Sequence, residues 1–267
     1  FEAITTPEIQ PLSNRRSCPM WLFGEGSDQY DYKPMKLLEH VQKHTVTTNP
    51  VTVSPVLPTL SAGLIQHIIA TNQHLPEIAA TSMYEYVYAG NGTFVRARRE
   101  GLVAIAPVVY YKAKGLRAIS ASVQMTYPPV PIALVQQMLE ASRLPSNAEG
   151  KPVEILFHLH FENGNWQLTI PEQEQTATSC RPLDNSLNSS YAKALIEVHS
   201  HHGMNAYFSE MDNRDETGFR IYGVLGEIFS NPQIRMRVGI YGHFYETATT
   251  GIFELPPHLT DCLSEDW

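Results

Sequence analysis

Two histidines, a serine and an aspartate lie close together in this sequence with a spacing suited to metal chemistry. An apolar run at 194–198 predicts a buried strand that leads into His199 and His201. Because alternate residues of a strand face the same side, both imidazoles are expected to point together. Asp212 lies one turn into a predicted helix for which Ser209 is the expected N-cap. Two imidazoles and one carboxylate are a ligand set of catalytic zinc, whose fourth position stays open to water.

The spacing of these residues resembles the signature of the JAMM (MPN-domain) metalloproteases. That signature is His-x-His, seven intervening residues and then Ser-x-x-Asp, and this sequence matches it without a gap. The resemblance implies one zinc ion held by the two histidines and the aspartate. The family usually has a proline after the second histidine, where this chain has His202, which changes the loop and not the number of ligands. His158 and His160 form a second His-x-His, but no Ser-x-x-Asp follows, so we interpret both as polar residues on the strand face of Glu154.

Amide hydrolysis at a zinc site also needs a carboxylate that accepts the proton of the water and hands it to the leaving nitrogen. The resemblance gives this role to a glutamate at the start of the strand after the first helix of the domain, and Glu154 matches that position. Glu197, which shares its strand face with His199 and His201, is the alternative. We favour Glu154 because a neighbouring strand can direct a side chain across the metal. Ser209 is expected to stabilise the developing oxyanion, to cap the helix, or to do both.

Composition excludes several classes of protein. A net charge of -8 with 17% charged residues disfavours a broad nucleic-acid-binding surface. The longest uncharged apolar run, 101–111, is shorter than the ~20 residues of a membrane helix, and no signal-like segment is present, although a removed leader before Phe1 stays open. The three cysteines, Cys18, Cys180 and Cys262, are widely spaced and form no Cys-x-x-Cys, which indicates a reducing, cytoplasmic compartment. We expect neither nucleic acid nor a membrane as a partner.

The elements around the candidate site predict an α+β, sandwich-like domain with a mixed sheet flanked by helices. They are a helix at 132–142, a strand at 154–161 with a hairpin return, the strand before His199, the helix after Ser209, and strands at 219–229 and 234–241. A polar segment at 173–190 is expected to be a loop, partly ordered over the site.

The proline-rich break at 127–131 predicts a domain boundary. We therefore divide the chain into a β-rich accessory domain at 1–127, a JAMM/MPN-type domain at 128–254 and an acidic tail at 255–267. Within the first domain, the apolar spacing at 60–72 predicts an amphipathic helix, and a Gly-Asn-Gly turn between β-rich runs predicts a hairpin at 83–97.

Over residues 130–254 the order of elements resembles a JAMM/MPN domain throughout its length. The phrases at 197–202, 206–209 and 215–220 look like the PRTRC system protein A family of bacterial mobile elements. The resemblance implies a zinc isopeptidase or peptidase that cuts an amide bond at the tail of a ubiquitin-like protein, with that protein or its conjugate, and an E1/ThiF-like protein, as partners. Two alternatives stay open: a scaffold that docks partners without turnover, and a small-molecule metallohydrolase. The complete ligand set favours the enzyme.

Overall fold

Strands dominate the computed structural model, which describes residues 64–71 and 74–263. All of these residues lie in the compact unit Pro58–Trp267. The first part of the predicted accessory domain, residues 1–63, lies outside the described residues. In the described part, two large sheets and one small sheet account for most of the regular structure.

The first large sheet has five strands in the order of the chain. They are β1 (Ile65–Ile69), β2 (Tyr84–Ala89), β3 (Gly92–Arg99), β4 (Leu102–Tyr110) and β5 (Ser122–Met125). The pairing of β1 with β2 is parallel, and the other pairings are antiparallel. The predicted hairpin is confirmed as β2 and β3. Gly92 begins β3 close to the backbone of β4, because an added Cβ would lie 2.3 Å from the Val109 carbonyl oxygen.

The helix predicted at 60–72 is wrong, because residues 65–69 form the edge strand β1. Ile65, Ile68 and Ile69 have the spacing of a helix face, whereas their β-branched side chains favour a strand. Pairing with the edge of β2 favours the strand over the helix, since Ile65 pairs with Tyr84 and the register continues along the strand. That non-local partner does not show in the local apolar pattern.

The second large sheet has seven strands and is mixed. They are β6 (Leu156–Glu162), β7 (Asn165–Thr169), β10 (Ile196–Ser200), β11 (Phe219–Gly226), β12 (Gln233–Ile240), β13 (His243–Glu246) and β14 (Thr260–Asp261). Their order is β13-β12-β11-β10-β6-β7, and β14 pairs with β12. The β10–β11 and β12–β14 pairings are parallel, and the others are antiparallel. The predicted mixed sheet is therefore present, with β10 near its centre.

Three short helices occur in the described part of the chain, two of which the sequence predicted, at 132–142 and after Ser209. They are α1 (Ile132–Ala141), α2 (Ser190–Lys193) and α3 (Glu210–Asp215). α1 buries Val135, Met138 and Leu139, which lie on one face at helical spacing. Between residues 64 and 71 and between 74 and 263, no helix has the length and apolar character needed to cross a bilayer.

The segment at 173–190, predicted as a loop, contains a short hairpin. Its strands are β8 (Gln173–Gln175) and β9 (Cys180–Pro182), which form a two-stranded antiparallel sheet. Three-residue polar strands carry no apolar alternation, so periodicity could not predict them. The hairpin lies beside the start of β6.

Buried side chains from both large sheets and from α1 form one hydrophobic cluster. Its members include Leu102, Ala104 and Ala106 of β4, Met138 and Leu139 of α1, and Ile196 and Val198 of β10. The division of the chain at residue 127 and the separate tail from 255 stay predictions. Of the residues assigned to that tail, Thr260 and Asp261 pair with β12.

Candidate metal centre

The position of β10 in the sheet determines where the two histidines lie. β10 runs between β6 and β11, with His199 in register with Leu156 on one side and Val224 on the other. The backbone N–H of His201 donates to the Leu225 carbonyl at 2.7 Å, so the chain keeps its course beside β11 past the end of β10. The side chains of His199 and His201 are 8% and 3% exposed. Both imidazoles therefore face the same buried spot.

Helix α3 brings the carboxylate of Asp212 to that spot. Ser209 is the N-cap: its Oγ accepts the backbone N–H of Asp212 at 3.2 Å, and Asp212 Oδ2 accepts the backbone N–H of Ser209 at 2.5 Å. This reciprocal capping box fixes the position of the Asp212 carboxylate through its Oδ2 atom. Asp212 Oδ1 is left 3.4 Å from Nε2 of His199.

Arg237 of β12 anchors the far end of α3. Its guanidinium contacts Glu216 at 2.6 Å and Asn213 at 2.6 Å, and lies between the rings of Phe208 and Phe244 at 3.9 and 3.8 Å from their centroids. Arg237 alternates with apolar residues along β12, a pattern typical of a side chain that faces solvent, whereas this side chain is 5% exposed. An arginine that alternates with apolar residues gives no local signal of burial, because its partners come from distant elements.

The three candidate ligands have a spacing that fits one tetrahedral ion. Nε2 of His199 lies 3.2 Å from Nε2 of His201 and 3.4 Å from Asp212 Oδ1, and one ligand atom from each residue falls within 4.8 Å of the others. Zinc bonds of about 2.0–2.1 Å at tetrahedral angles place neighbouring ligands about 3.3 Å apart. The residues present therefore fit a zinc ion. Their role as its ligands stays a prediction.

Electrostatics favour the protonation state that binds metal. Burial lowers the pKa of His199 to about 4, against the opposing effect of the Asp212 charge. Burial also lowers the pKa of His201, again opposed by Asp212. Neutral imidazole is the form whose ring nitrogen can bind a metal, so neither histidine needs to lose a proton at neutral pH. The two facing ring nitrogens and the Asp212 carboxylate form an environment that would stabilise a bound cation.

Strand pairing places Glu154 beside His201. In the antiparallel pairing of β6 with β10, His199 lies opposite Leu156, so the register continued by two residues puts 154 opposite 201. Glu154 Oε1 lies 3.7 Å from His201 Nε2, and the side chain is 2% exposed. Burial, and then the Asp212 charge, raises the pKa of Glu154 to about 8. Glu154 precedes β6 by two residues and does not head the strand as predicted.

Glu197, the alternative to Glu154 as the general base, is bound to other residues. Its Oε2 accepts a hydrogen bond from Arg220 at 3.0 Å and lies 3.6 Å from His158 Nε2. Burial raises the pKa of Glu197, and the Arg220 charge opposes that rise. Glu197 therefore belongs to an ion pair with Arg220, whereas the carboxyl of Glu154 lies beside His201.

His158 is a buried neutral histidine and not a surface polar residue. Its Nδ1 lies 2.8 Å from the Ser190 hydroxyl, and its side chain is 0% exposed. Burial lowers its pKa to about 4, with the charges of Arg220 and His160 acting in the same direction. The contact with Glu197 would raise the pKa, but Arg220 already neutralises that carboxylate at shorter range, so burial dominates.

The folded protein is therefore expected to lose stability as pH falls below the ordinary histidine pKa of 6.5 towards 4. In that window the unfolded chain protonates residue 158 and the folded protein does not, which costs about 2 kcal/mol between pH 7 and pH 5. Urea unfolding of the wild type and of His158→Gln at both pH values measures the difference. His258→Gln, at an exposed position, is the matched control. Equal pH dependence in wild type and His158→Gln would contradict the assignment.

A cavity of about 300 Å³ opens beside the candidate ligands. Glu154, His201 and Ser209 line it together with Tyr207 and Arg214. The ring of Tyr207 packs edge-on against His201, with the centroids 4.8 Å apart. The two groups predicted to act on a substrate, Glu154 and Ser209, therefore border the same open space as the candidate ligand His201.

The backbone conformation at His202 excludes the proline that usually follows the second histidine of the JAMM signature. This residue has a φ of 32°, whereas the ring of proline fixes φ near -65°. Its carbonyl accepts the backbone N–H of Ile228 at 2.8 Å, which holds the loop against the turn after β11. Proline could not adopt this conformation.

Comparisons with known proteins find similarity among solved structures. No family model matches the chain, and no curated protein is significantly similar to it. Among solved structures, the chain is similar to a JAB1/MPN domain protein from Archaeoglobus fulgidus at 15% sequence identity and a TM-score of 0.30. The match covers 49% of this chain and 99% of that one. The support for a function therefore comes from the geometry of the site.

Proposed function

We propose that this chain is a zinc-dependent isopeptidase or peptidase of the JAMM type, which hydrolyses an amide bond at the C-terminal tail of a ubiquitin-like protein. The observation that carries the proposal is the convergence of His199, His201 and Asp212, with the carboxyl of Glu154 3.7 Å from His201. Each group has the chemical type and the location that amide hydrolysis requires.

Glu154 is the general base and then the general acid. Zinc, when bound, would supply a Lewis acid that lowers the pKa of water towards ~7 and polarises the scissile carbonyl. Glu154 accepts the proton of the attacking water and passes it to the leaving nitrogen. Its buried position keeps its pKa high, which suits a group that must hold a proton before delivering it. A nearby cation would lower that pKa and so prepare the carboxylate to accept the proton.

Ser209 stabilises the charge that develops on the carbonyl oxygen. Its Oγ accepts a hydrogen bond from the Asp212 backbone, so the hydroxyl hydrogen can be donated to another group. Ser209 lines the same cavity as Glu154. The hydroxyl can thus serve as helix cap and as oxyanion donor at the same time.

Ser209→Ala is expected to keep zinc while losing about 1 kcal/mol of stability as a helix cap and about 10²- to 10³-fold in kcat as an oxyanion donor. Zinc content, urea unfolding and steady-state kinetics measure the three effects. Ser189→Ala is the matched control, because Ser189 caps α2 in the same way, accepting the Ala192 N–H. Normal turnover by Ser209→Ala would leave the residue with its structural role only.

The partners in this proposal are a ubiquitin-like protein or its conjugate, and an E1/ThiF-like protein of the same system. The cavity beside Ser209 is open and of a size for a few extended residues, as a flexible tail would present. These partners are the ones implied by the resemblance of the phrases at 197–202, 206–209 and 215–220 to the PRTRC system protein A family. We place the protein in the cytoplasm, a reducing compartment in which a thiol such as that of Cys180 stays reduced.

The test is cleavage by the purified full-length chain. Zinc content is measured first, and then turnover of α-linked and isopeptide-linked fusions to a ubiquitin-like protein. Activity should disappear with a chelator and return with zinc. A scaffold would bind the fusions without cutting them, and a small-molecule hydrolase would cut small amides and leave the fusions intact. Either outcome would overturn the isopeptidase.

A further inference from the structure

The hairpin formed by β8 and β9 binds both backbone polar groups of Glu154. The backbone N–H of Glu154 donates to the Thr176 carbonyl at 2.8 Å. The side-chain amide of Gln175 donates to the Glu154 carbonyl at 2.6 Å. Glu154 lies two residues before β6, so these hydrogen bonds replace the ladder that a strand residue would have.

A second glutamine extends the same contact to Leu156. The backbone N–H of Leu156 donates to Gln173 Oε1 at 2.7 Å, and Gln173 Nε2 donates to the Leu156 carbonyl at 3.2 Å. On the opposite side, Ile155 exchanges hydrogen bonds with Ser200 of β10 at 3.1 and 3.2 Å. The segment 154–156 is therefore held on both sides, by the histidine-bearing strand and by the hairpin.

The other strand of the hairpin reaches α3. Arg181 of β9 pairs with Asp215 at 3.0 Å and lies 3.5 Å from the Met211 sulfur. The side chains of Arg181 and Asp215 are 55% and 39% exposed, so solvent screens their attraction. The hairpin contacts that can hold Glu154 are therefore those of the Thr176 carbonyl and Gln175, with Gln173 holding the neighbouring Leu156.

We propose that the β8–β9 hairpin positions Glu154 for catalysis, with Gln175 as the main positioning residue. This inference rests on the proposed function, since it concerns the general base of that reaction. Gln175 binds the backbone of Glu154 and so acts through it. Misplacement of a reacting group by about 1 Å can cost on the order of 10²-fold in rate. Loss of the hydrogen bond from Gln175 frees the Glu154 carbonyl, so the carboxyl is held less firmly at its distance from His201.

The test compares Gln175→Met with Gln167→Met. Methionine keeps the length of the side chain and removes its amide, and Gln167 is exposed on the edge strand β7. For Gln175→Met we expect unchanged zinc content, and kcat lowered about 10- to 100-fold with KM within about threefold. The Glu154 N–H donates to the Thr176 carbonyl of the same hairpin, so release of the Glu154 carbonyl should also loosen that bond and speed hydrogen exchange at the Glu154 amide at least ~10-fold. Gln167→Met should match the wild type in all of these. Gln173→Met should accelerate exchange at Leu156 and serves as the second variant if Gln175→Met does not fold.

The outcomes separate this inference from the proposed function. Faster exchange at Glu154 in a protein without hydrolytic activity would support the role of the hairpin and overturn the enzyme. Unchanged exchange at Glu154 in Gln175→Met would overturn Gln175 as the main positioning residue, whether or not the wild type is active. Faster exchange with wild-type kcat would show that the hydrogen bond is structural, and would overturn positioning.

Discussion

Glu154→Gln is expected to lower kcat by about 10²- to 10⁴-fold, the contribution of general acid-base catalysis. Glutamine is nearly isosteric with glutamate but cannot accept the proton of the attacking water. Zinc content, fold and binding of a ubiquitin-like partner should stay at wild-type levels, because Glu154 is not among the three candidate ligands. Single-turnover cleavage, metal analysis and a binding titration measure these quantities on the same preparation.

Glu197→Gln is the matched control. Glu197 is paired with Arg220 at 3.0 Å, so its loss should reduce stability by leaving a buried arginine unpaired, and leave kcat close to wild type. If Glu154→Gln cleaved as fast as the wild type while Glu197→Gln was inactive, the general base would be Glu197. A scaffold would bind its partner equally well in both variants and cleave in neither.

Single alanine substitutions of His199, His201 and Asp212 are each expected to weaken zinc binding by more than about 100-fold and to abolish hydrolysis. Loss of a group that only orients a ligand typically costs 10- to 100-fold in metal affinity, so loss of the ligand itself should cost more. Each substitution leaves two ligands of a three-ligand site. Zinc content after gel filtration and competition with a chromophoric chelator measure the affinity.

A thermal-shift measurement gives a second readout that needs no substrate. A ligand that binds only the folded state stabilises it, so zinc should raise the Tm of the wild type and not that of the three variants. His202→Asn is the control, because His202 neighbours the site without belonging to the candidate group, and asparagine tolerates its positive φ. Full zinc content in all three alanine variants would rule out this metal site.

The sequence by itself determined the features that depend on near neighbours along the chain. The apolar run before His199 predicts a buried strand, and the period of a strand makes His199 and His201 point together. The three-residue interval from Ser209 to Asp212 is that of a capping box, which the structure contains. Both features depend on backbone geometry within one turn or one strand, so no distant residue is needed to predict them.

The tertiary structure alone decided which carboxylate faces the histidines. Glu154 and Glu197 were both compatible with the sequence, and only the register of β6 against β10 and the pairing of Glu197 with Arg220 separate them. Contacts between distant segments also determine the hairpin beside Glu154. They determine the extended conformation of residues 65–69 as well, for which the local apolar pattern predicted a helix. Sheet pairing joins segments far apart in the chain, and its free energy depends on partners that a local pattern does not contain. The local sequence thus determines the residue types and the spacing of the candidate ligands. The identity and position of the group that would act with them follow from non-local strand pairing.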